Sequence, residues 1–109
     1  MRAKTEISLL APARDLSVGI AAINAGADAV YIGAPEFSAR QAAGCSRQDI
    51  EKLCRYAHLF GCKVLVALNT LLTKEERPKA VKIAWDMYEA GADALIIQDM
   101  RLLNEDLPQ

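Results

Sequence analysis

The sequence predicts an α/β fold: half of a TIM-type (β/α)8 barrel, with four parallel strands and covering helices. Three observations carry that prediction. Residues Ala25–Ile32 recur as Ala90–Ile97, with six of eight positions identical and a spacing of 65 residues. A repeat of this kind is one supersecondary unit used more than once. Gly26 and Gly91 stand just past predicted helix ends, where a left-handed residue is needed. The run after each glycine lacks polar alternation, as expected of a parallel strand covered on both faces. A closed eightfold barrel needs about 200–250 residues or more. The 109 residues therefore allow half a barrel, or a small open doubly wound sheet.

In chain order, Ile7–Ala11 is the first strand, and Pro12 is expected to stop it because proline cannot donate to a ladder. Asp15 is the N-cap of a helix running to about Ala25, with Leu16, Ile20 and Ile23 as its apolar stripe. Ala29–Ile32 is the second strand. The connection from Gly33 to Cys45 far exceeds the usual ~2–6 residues, and long loops in compact domains are commonly functional. Ser46, with Asp49 three residues on, forms a capping box for the second helix. Ile50, Leu53, Ala57 and Phe60 are its predicted apolar stripe, and Gly61 ends it.

Lys63–Leu68 is the third strand, with Asn69 and Thr70 at its exit. Thr73–Glu76 reads as another capping box, and Pro78 either follows a single turn or occupies the first turn of the main helix. Val81, Ala84, Trp85 and Tyr88 are spaced for its apolar stripe, which places Trp85 in the core. Ala94–Ile97 is the fourth strand, and Met100–Leu103 begins something helical.

Composition narrows the function classes. A formal charge of −1 makes no electrostatic case for binding nucleic acid or anionic membrane. No apolar run reaches the ~18 residues of a membrane helix. The opening Met1–Glu6 shows no secretory signal, so a cytoplasmic setting is expected. Three cysteines, an odd number, argue against a disulfide framework. Cys54, His58 and Cys62 fall at i, i+4 and i+8. We read Cys54 as a small apolar residue, His58 as flanking and Cys62 as lying beyond Gly61, not as a zinc site. No metal or other cofactor is expected in this segment.

In both architectures chemistry gathers at the carboxyl ends of the strands. That rule selects Arg14 with Asp15, then Tyr31–Gly33 and the loop through Ser38 to Arg40, then Asn69, then Gln98 and Asp99. Arg40 suits a ligand carboxylate or phosphate, with an ion pair to Glu36 as the alternative. Asn69 offers an amide that donates and accepts, or simply holds its own turn. Asp99 is a base or ligand, or else a helix N-cap. Tyr31 points either into the barrel or at the helices. Asp28 and Asp93 lie at the opposite end and are expected to serve stability. The sole histidine, His58, sits on a helix, so no Ser-His-Asp or Cys-His arrangement is available and the catalytic residues stay unassigned.

Three groups of residues together resemble one family. They are Leu9–Ala13, then Gly26–Gly33, then Phe37–Arg40 with Ala43 and Gly44. Tyr56–His58 before Gly61, Asn69 with Thr70, and Asp93–Ile96 before Gln98 and Asp99 continue the pattern. The chain is similar to the opening of the collagenase-like peptidase family of unknown catalytic type. That resemblance implies the amino-terminal half of a barrel domain in a larger bacterial enzyme, completed by the remainder of its own barrel, acting on a peptide or an RNA. Peptide-bond hydrolysis is the leading expectation for the full-length enzyme. Hydroxylation of a transfer or ribosomal RNA base is the first alternative, since the family includes such enzymes. A non-catalytic half-barrel that forms a homodimer is the alternative of another class. Some relatives hydroxylate a quinone precursor and carry iron-sulfur clusters, but Cys45, Cys54 and Cys62 are not in the positions of those ligands. Two positions depart from the usual pattern: Arg14 replaces glycine and adds a cation to its loop, and Cys45 replaces asparagine.

Overall fold

The computed structural model describes residues 8–34, 46–68, 74–97 and 107. Within them the chain alternates strand and helix: β1 (Leu10–Ala13), α1 (Leu16–Asn24), β2 (Ala29–Gly33), α2 (Arg47–Leu59), β3 (Lys63–Leu68), α3 (Glu76–Ala90) and β4 (Ala94–Ile97). The strands form one parallel sheet in the order β1-β2-β3-β4.

That order separates the two predicted architectures. In a doubly wound sheet the strand order reverses at a switch point, and helices cover both faces. Here each strand is laid beside the last, and crossovers of one hand place successive helices on the same face. Burial agrees. Val30, Ile32, Val64, Val66 and Leu68 are at most 1% exposed, against α2 and α3 residues Ile50, Leu53, Ala57, Ala80, Ala84 and Met87. Of the alternate residues, Ala29, Tyr31, Gly33 and Leu65 are only half-buried, while the small Ala67 is 5% exposed. The described chain is therefore half of a barrel-like fold, with one sheet face sealed by helices and the other open.

Each helix ends in the same way. Gly26, Gly61 and Gly91 have φ of +100°, +70° and +107°. The residue after each donates back to the last helical turn: Ala27 to the Ala22 carbonyl, Cys62 to Ala57 and Ala92 to Met87, at 2.9–3.1 Å. This is the left-handed termination expected from the glycines, and it turns the chain straight into the next strand. The helices also approach closely. A Cβ on Gly19 would lie 2.7 Å from Leu53 Cδ1, so glycine there lets α1 settle against α2.

The paired Gly-Ala-Asp elements explain their aspartates. The Asp93 N–H donates to the Val64 carbonyl at 2.8 Å, and its Oδ2 accepts the Val64 N–H at 2.8 Å. The Asp28 N–H donates to the Leu9 carbonyl at 2.8 Å, and its Oδ2 accepts the Leu9 N–H. Each carboxylate thus clips its strand to the preceding unit at the amino-terminal end. In the middle repeat Lys63 takes the equivalent position, and its N–H reaches the Asp28 carbonyl at 3.1 Å.

Several expectations need correction. Pro12 does not stop the first strand. It lies inside β1, opposite Tyr31. Leu9 hydrogen-bonds toward β2, so Pro12, three residues on, turns its missing N–H to the open edge, where it disrupts no ladder. Ile7 lies outside the described residues, as does Met100–Leu103. Phe60 is 62% exposed because α2 ends before it, and its ring packs on Tyr56 at a centroid distance of 5.1 Å. Trp85 and Tyr88 are not core residues. They are 37% and 56% exposed and pack edge-to-face on each other at 5.8 Å. The buried face of α3 is Ala80, Ala84, Met87 and Ala90, since small side chains let a helix sit close to a sheet.

The Thr73–Glu76 capping box is replaced by a start at Glu76, with Glu75 as an N-cap that makes no side-chain bond. Pro78 occupies the first turn, where its missing N–H has no helical partner to lose. The other caps form as expected: Asp15 Oδ1 accepts the Val18 N–H at 2.9 Å, and Ser46 Oγ accepts the Asp49 N–H at 3.1 Å.

Candidate functional site at the carboxyl ends of the strands

The parallel register brings the carboxyl ends of all four strands to one rim. Ala13 pairs with Ile32, Gly33 with Ala67, and Leu68 with Ile97. The Ala34 N–H extends β2 to the rim by donating to the Ala67 carbonyl at 2.9 Å. In barrel and doubly wound folds alike this end carries the chemistry.

Two of the seven candidate residues fall in the described part of the chain. Arg14 follows β1 directly. Its side chain is 70% exposed, and its Nε lies 3.8 Å from Asp15 Oδ2. A pair so open to solvent holds the guanidinium weakly, leaving it free to meet a ligand. Tyr31 sits in mid-strand on the row shared with Pro12 and Leu65. Val30 and Ile32 are sealed beneath the helices, so Tyr31 projects from the opposite, open face. The two directions left open for it are thereby resolved in favour of the barrel interior. Arg40, Ser38, Asn69, Gln98 and Asp99 lie outside the described residues.

Sequence reading missed Arg77. It occupies the first turn of α3, three residues before Ala80 and seven before Ala84, both fully buried. That spacing puts all three on one helical face. Because α3 runs back from the carboxyl end of β3, its first turn lies at the rim. The Arg77 Nε is buried there without a hydrogen-bond partner. The available signal was spacing: Arg77 stands four residues before Val81, at the head of the predicted stripe, and a cation at that position was not read as a candidate.

The opposite end of the sheet is built for stability. Asp93 Oδ2, already accepting the Val64 N–H, also meets His58 Nε2 at 2.8 Å. This ties α2 to the start of β4. Burial, with Asp93 and Glu51 nearby, pushes the Cys54 thiol up to about 12, and burial with Asp93 also raises Cys62. Both are thereby held protonated at neutral pH. Among the described residues no group of three or more His, Cys, Asp or Glu side chains is arranged to hold a metal ion. Cys45 lies outside them. No helix among them is long and apolar enough to cross a membrane.

Comparison with known proteins adds the following. The sequence profile of Peptidase family U32 matches residues 14–107. The chain is 48% identical over 102 residues to a 23S rRNA 5-hydroxycytidine synthase of Escherichia coli, covering 94% of the chain and 16% of that protein. It is 36% identical over 103 residues to an uncharacterized protease of Methanocaldococcus jannaschii, covering 91% of the chain and 25% of that protein. It is 33% identical over 81 residues to a tRNA hydroxylation protein of Bacillus subtilis, covering 74% of the chain and 26% of that protein. The chain thus spans between 16% and 26% of the length of these curated relatives. No solved structure gives a significant match.

Proposed function

The chain belongs to peptidase family U32, and on that premise we propose that it forms the first four strand-helix units of a barrel in a longer enzyme that hydroxylates an RNA base. The observation that carries this reading is the 48% identity to an rRNA 5-hydroxycytidine synthase, sustained over 94% of the chain. The likeness to a tRNA hydroxylation protein points the same way. The half-barrel geometry supports it too: a guanidinium at the end of β1 and another at the start of α3 sit on the rim where a substrate enters. These cations suit a polyanion although the formal charge of the chain is −1, because recognition depends on local placement.

On this reading the open sheet face bearing Tyr31 is covered by the remainder of the same barrel, and the enzyme works in the cytoplasm on RNA. Base hydroxylation replaces a ring hydrogen by a hydroxyl group, an oxidation whose oxidant is supplied outside the described residues. What these residues contribute is the frame and the rim charges that hold the polynucleotide.

Peptide-bond hydrolysis is the second reading, supported by the family's designation and by the archaeal relative named as a protease. Nucleoside mass spectrometry of ribosomal and transfer RNA from a strain lacking the gene separates the two. The hydroxylase reading expects one hydroxylated nucleoside to vanish and to return when the full-length gene is restored. An unchanged nucleoside profile, with loss of a gelatin-cleaving activity instead, overturns it in favour of the peptidase.

A further inference from the structure

We propose that Arg77 is a phosphate-binding residue, the point at which the rim grips the backbone of the RNA; the choice of RNA as the phosphate's source rests on the function proposed above. The geometry is specific. Arg77 lies on the same face of α3 as Ala80 and Ala84, which are fully buried against the sheet. The side chain therefore starts from the sheet-facing stripe, one turn above the sealed core, where β3 opens into its loop. Its Nε is out of solvent yet makes no hydrogen bond. A guanidinium keeps its charge at any physiological pH, and a buried donor without an acceptor is costly.

Nor can the helix itself neutralise Arg77. The positions three and four residues away are Thr73, Lys74, Ala80 and Val81, none of them acidic. Neighbouring Glu76 lies one position along, and residues one apart do not face each other on a helix. Lys74, exposed and three residues earlier, adds a second cation close by. A guanidinium with no carboxylate at helical spacing, three residues from a lysine and at the functional end of the sheet, is suited to a phosphodiester oxygen.

The test uses the full-length protein and a fluorescein-labelled single-stranded RNA of mixed sequence, with binding measured across a salt series. Loss of one phosphate contact lowers the slope of log K against log salt by about 0.7. Arg77→Met, which keeps the aliphatic stem, is expected to show that reduced slope and roughly tenfold weaker binding near ~0.1 M salt. Arg77→Lys is expected to keep the slope. Arg55→Ala removes an exposed cation on α2 that is 79% exposed and serves as the charge control, with no change in slope expected.

Circular dichroism identifies a variant that fails to fold, in which case the comparison of wild type with Arg77→Lys and Arg55→Ala still decides: a lysine variant weaker than the Arg55 control supports the proposal. Equal slopes for wild type and Arg77→Met overturn it, as does a wild-type protein that binds no RNA. The hydroxylated nucleoside in cells is scored separately. A strain assay that confirms hydroxylation alongside equal slopes removes Arg77 from the site and leaves the enzyme reading standing.

Discussion

Replacing Asp93 by alanine should cost far more stability than replacing Asp28, although both aspartates occupy the same place in the repeat. Asp93 Oδ2 accepts the Val64 N–H and meets His58 Nε2, both at 2.8 Å. Val64 is fully buried. Stripping the acceptor leaves a buried amide unsatisfied, a loss of about 1–3 kcal/mol. The pair with His58 is worth less than about 1 kcal/mol, because those side chains are 45% and 32% exposed. Together the two losses come to about 1–4 kcal/mol, which at ~4–8 °C per kcal/mol lowers the melting temperature by roughly 5–30 °C. Asp28 clips Leu9, which is 53% exposed, so water can take over its N–H. Loss of that contact in Asp28→Ala should cost about 1 kcal/mol or less. Urea denaturation gives both values, and amide hydrogen exchange at Val64 reports the local cause. Equal losses for the two variants, with the Val64 amide still protected in Asp93→Ala, would refute the reasoning.

Other consequences follow from the same packing. Gly26→Ala and Gly91→Ala face the same backbone penalty of about 1–2 kcal/mol, at φ of +100° and +107°. Only at Gly91 does the new Cβ come within 3.2 Å of Cys54 Cβ, so denaturation should show the Gly91 variant as the weaker. Burial raises the Cys54 thiol from 9.0 to about 12. The unfolded chain therefore loses that proton first, and the stability contribution, complete below pH 9.0, is lost as pH climbs toward about 12. Cys54→Ala should flatten that alkaline decline in a pH series of urea midpoints. Iodoacetamide should leave native Cys54 unmodified at neutral pH, and rapid labelling would contradict its burial.

Much of the frame was legible because its signals are local. Lys63–Leu68 and Ala94–Ile97 were read at their observed boundaries, and the glycine after each helix announced its end. The partners of Asp28 and Asp93 were not legible. The backbone amides they accept from, Leu9 and Val64, lie 19 and 29 residues away, and a carboxylate's reach across a sheet leaves no mark in its own neighbourhood. Size misled the reading of α3: Trp85 and Tyr88 look like core residues, yet the helix docks through alanines. Arg14 at the rim and Tyr31 in mid-strand were picked out by the strand-end rule alone, and Tyr31's direction needed the burial of Val30 and Ile32 beside it.

Hydroxyl-radical footprinting of Tyr31 in the longer protein tests most directly whether these strands are half of a closed barrel. Tyr88, 56% exposed on the outside of α3, serves as the internal reference. Tyr31 should be strongly protected relative to Tyr88, because on the proposed reading the interior face it occupies is filled by the rest of the barrel. Oxidation of Tyr31 at a rate matching Tyr88 would contradict the half-barrel and the rim built on it.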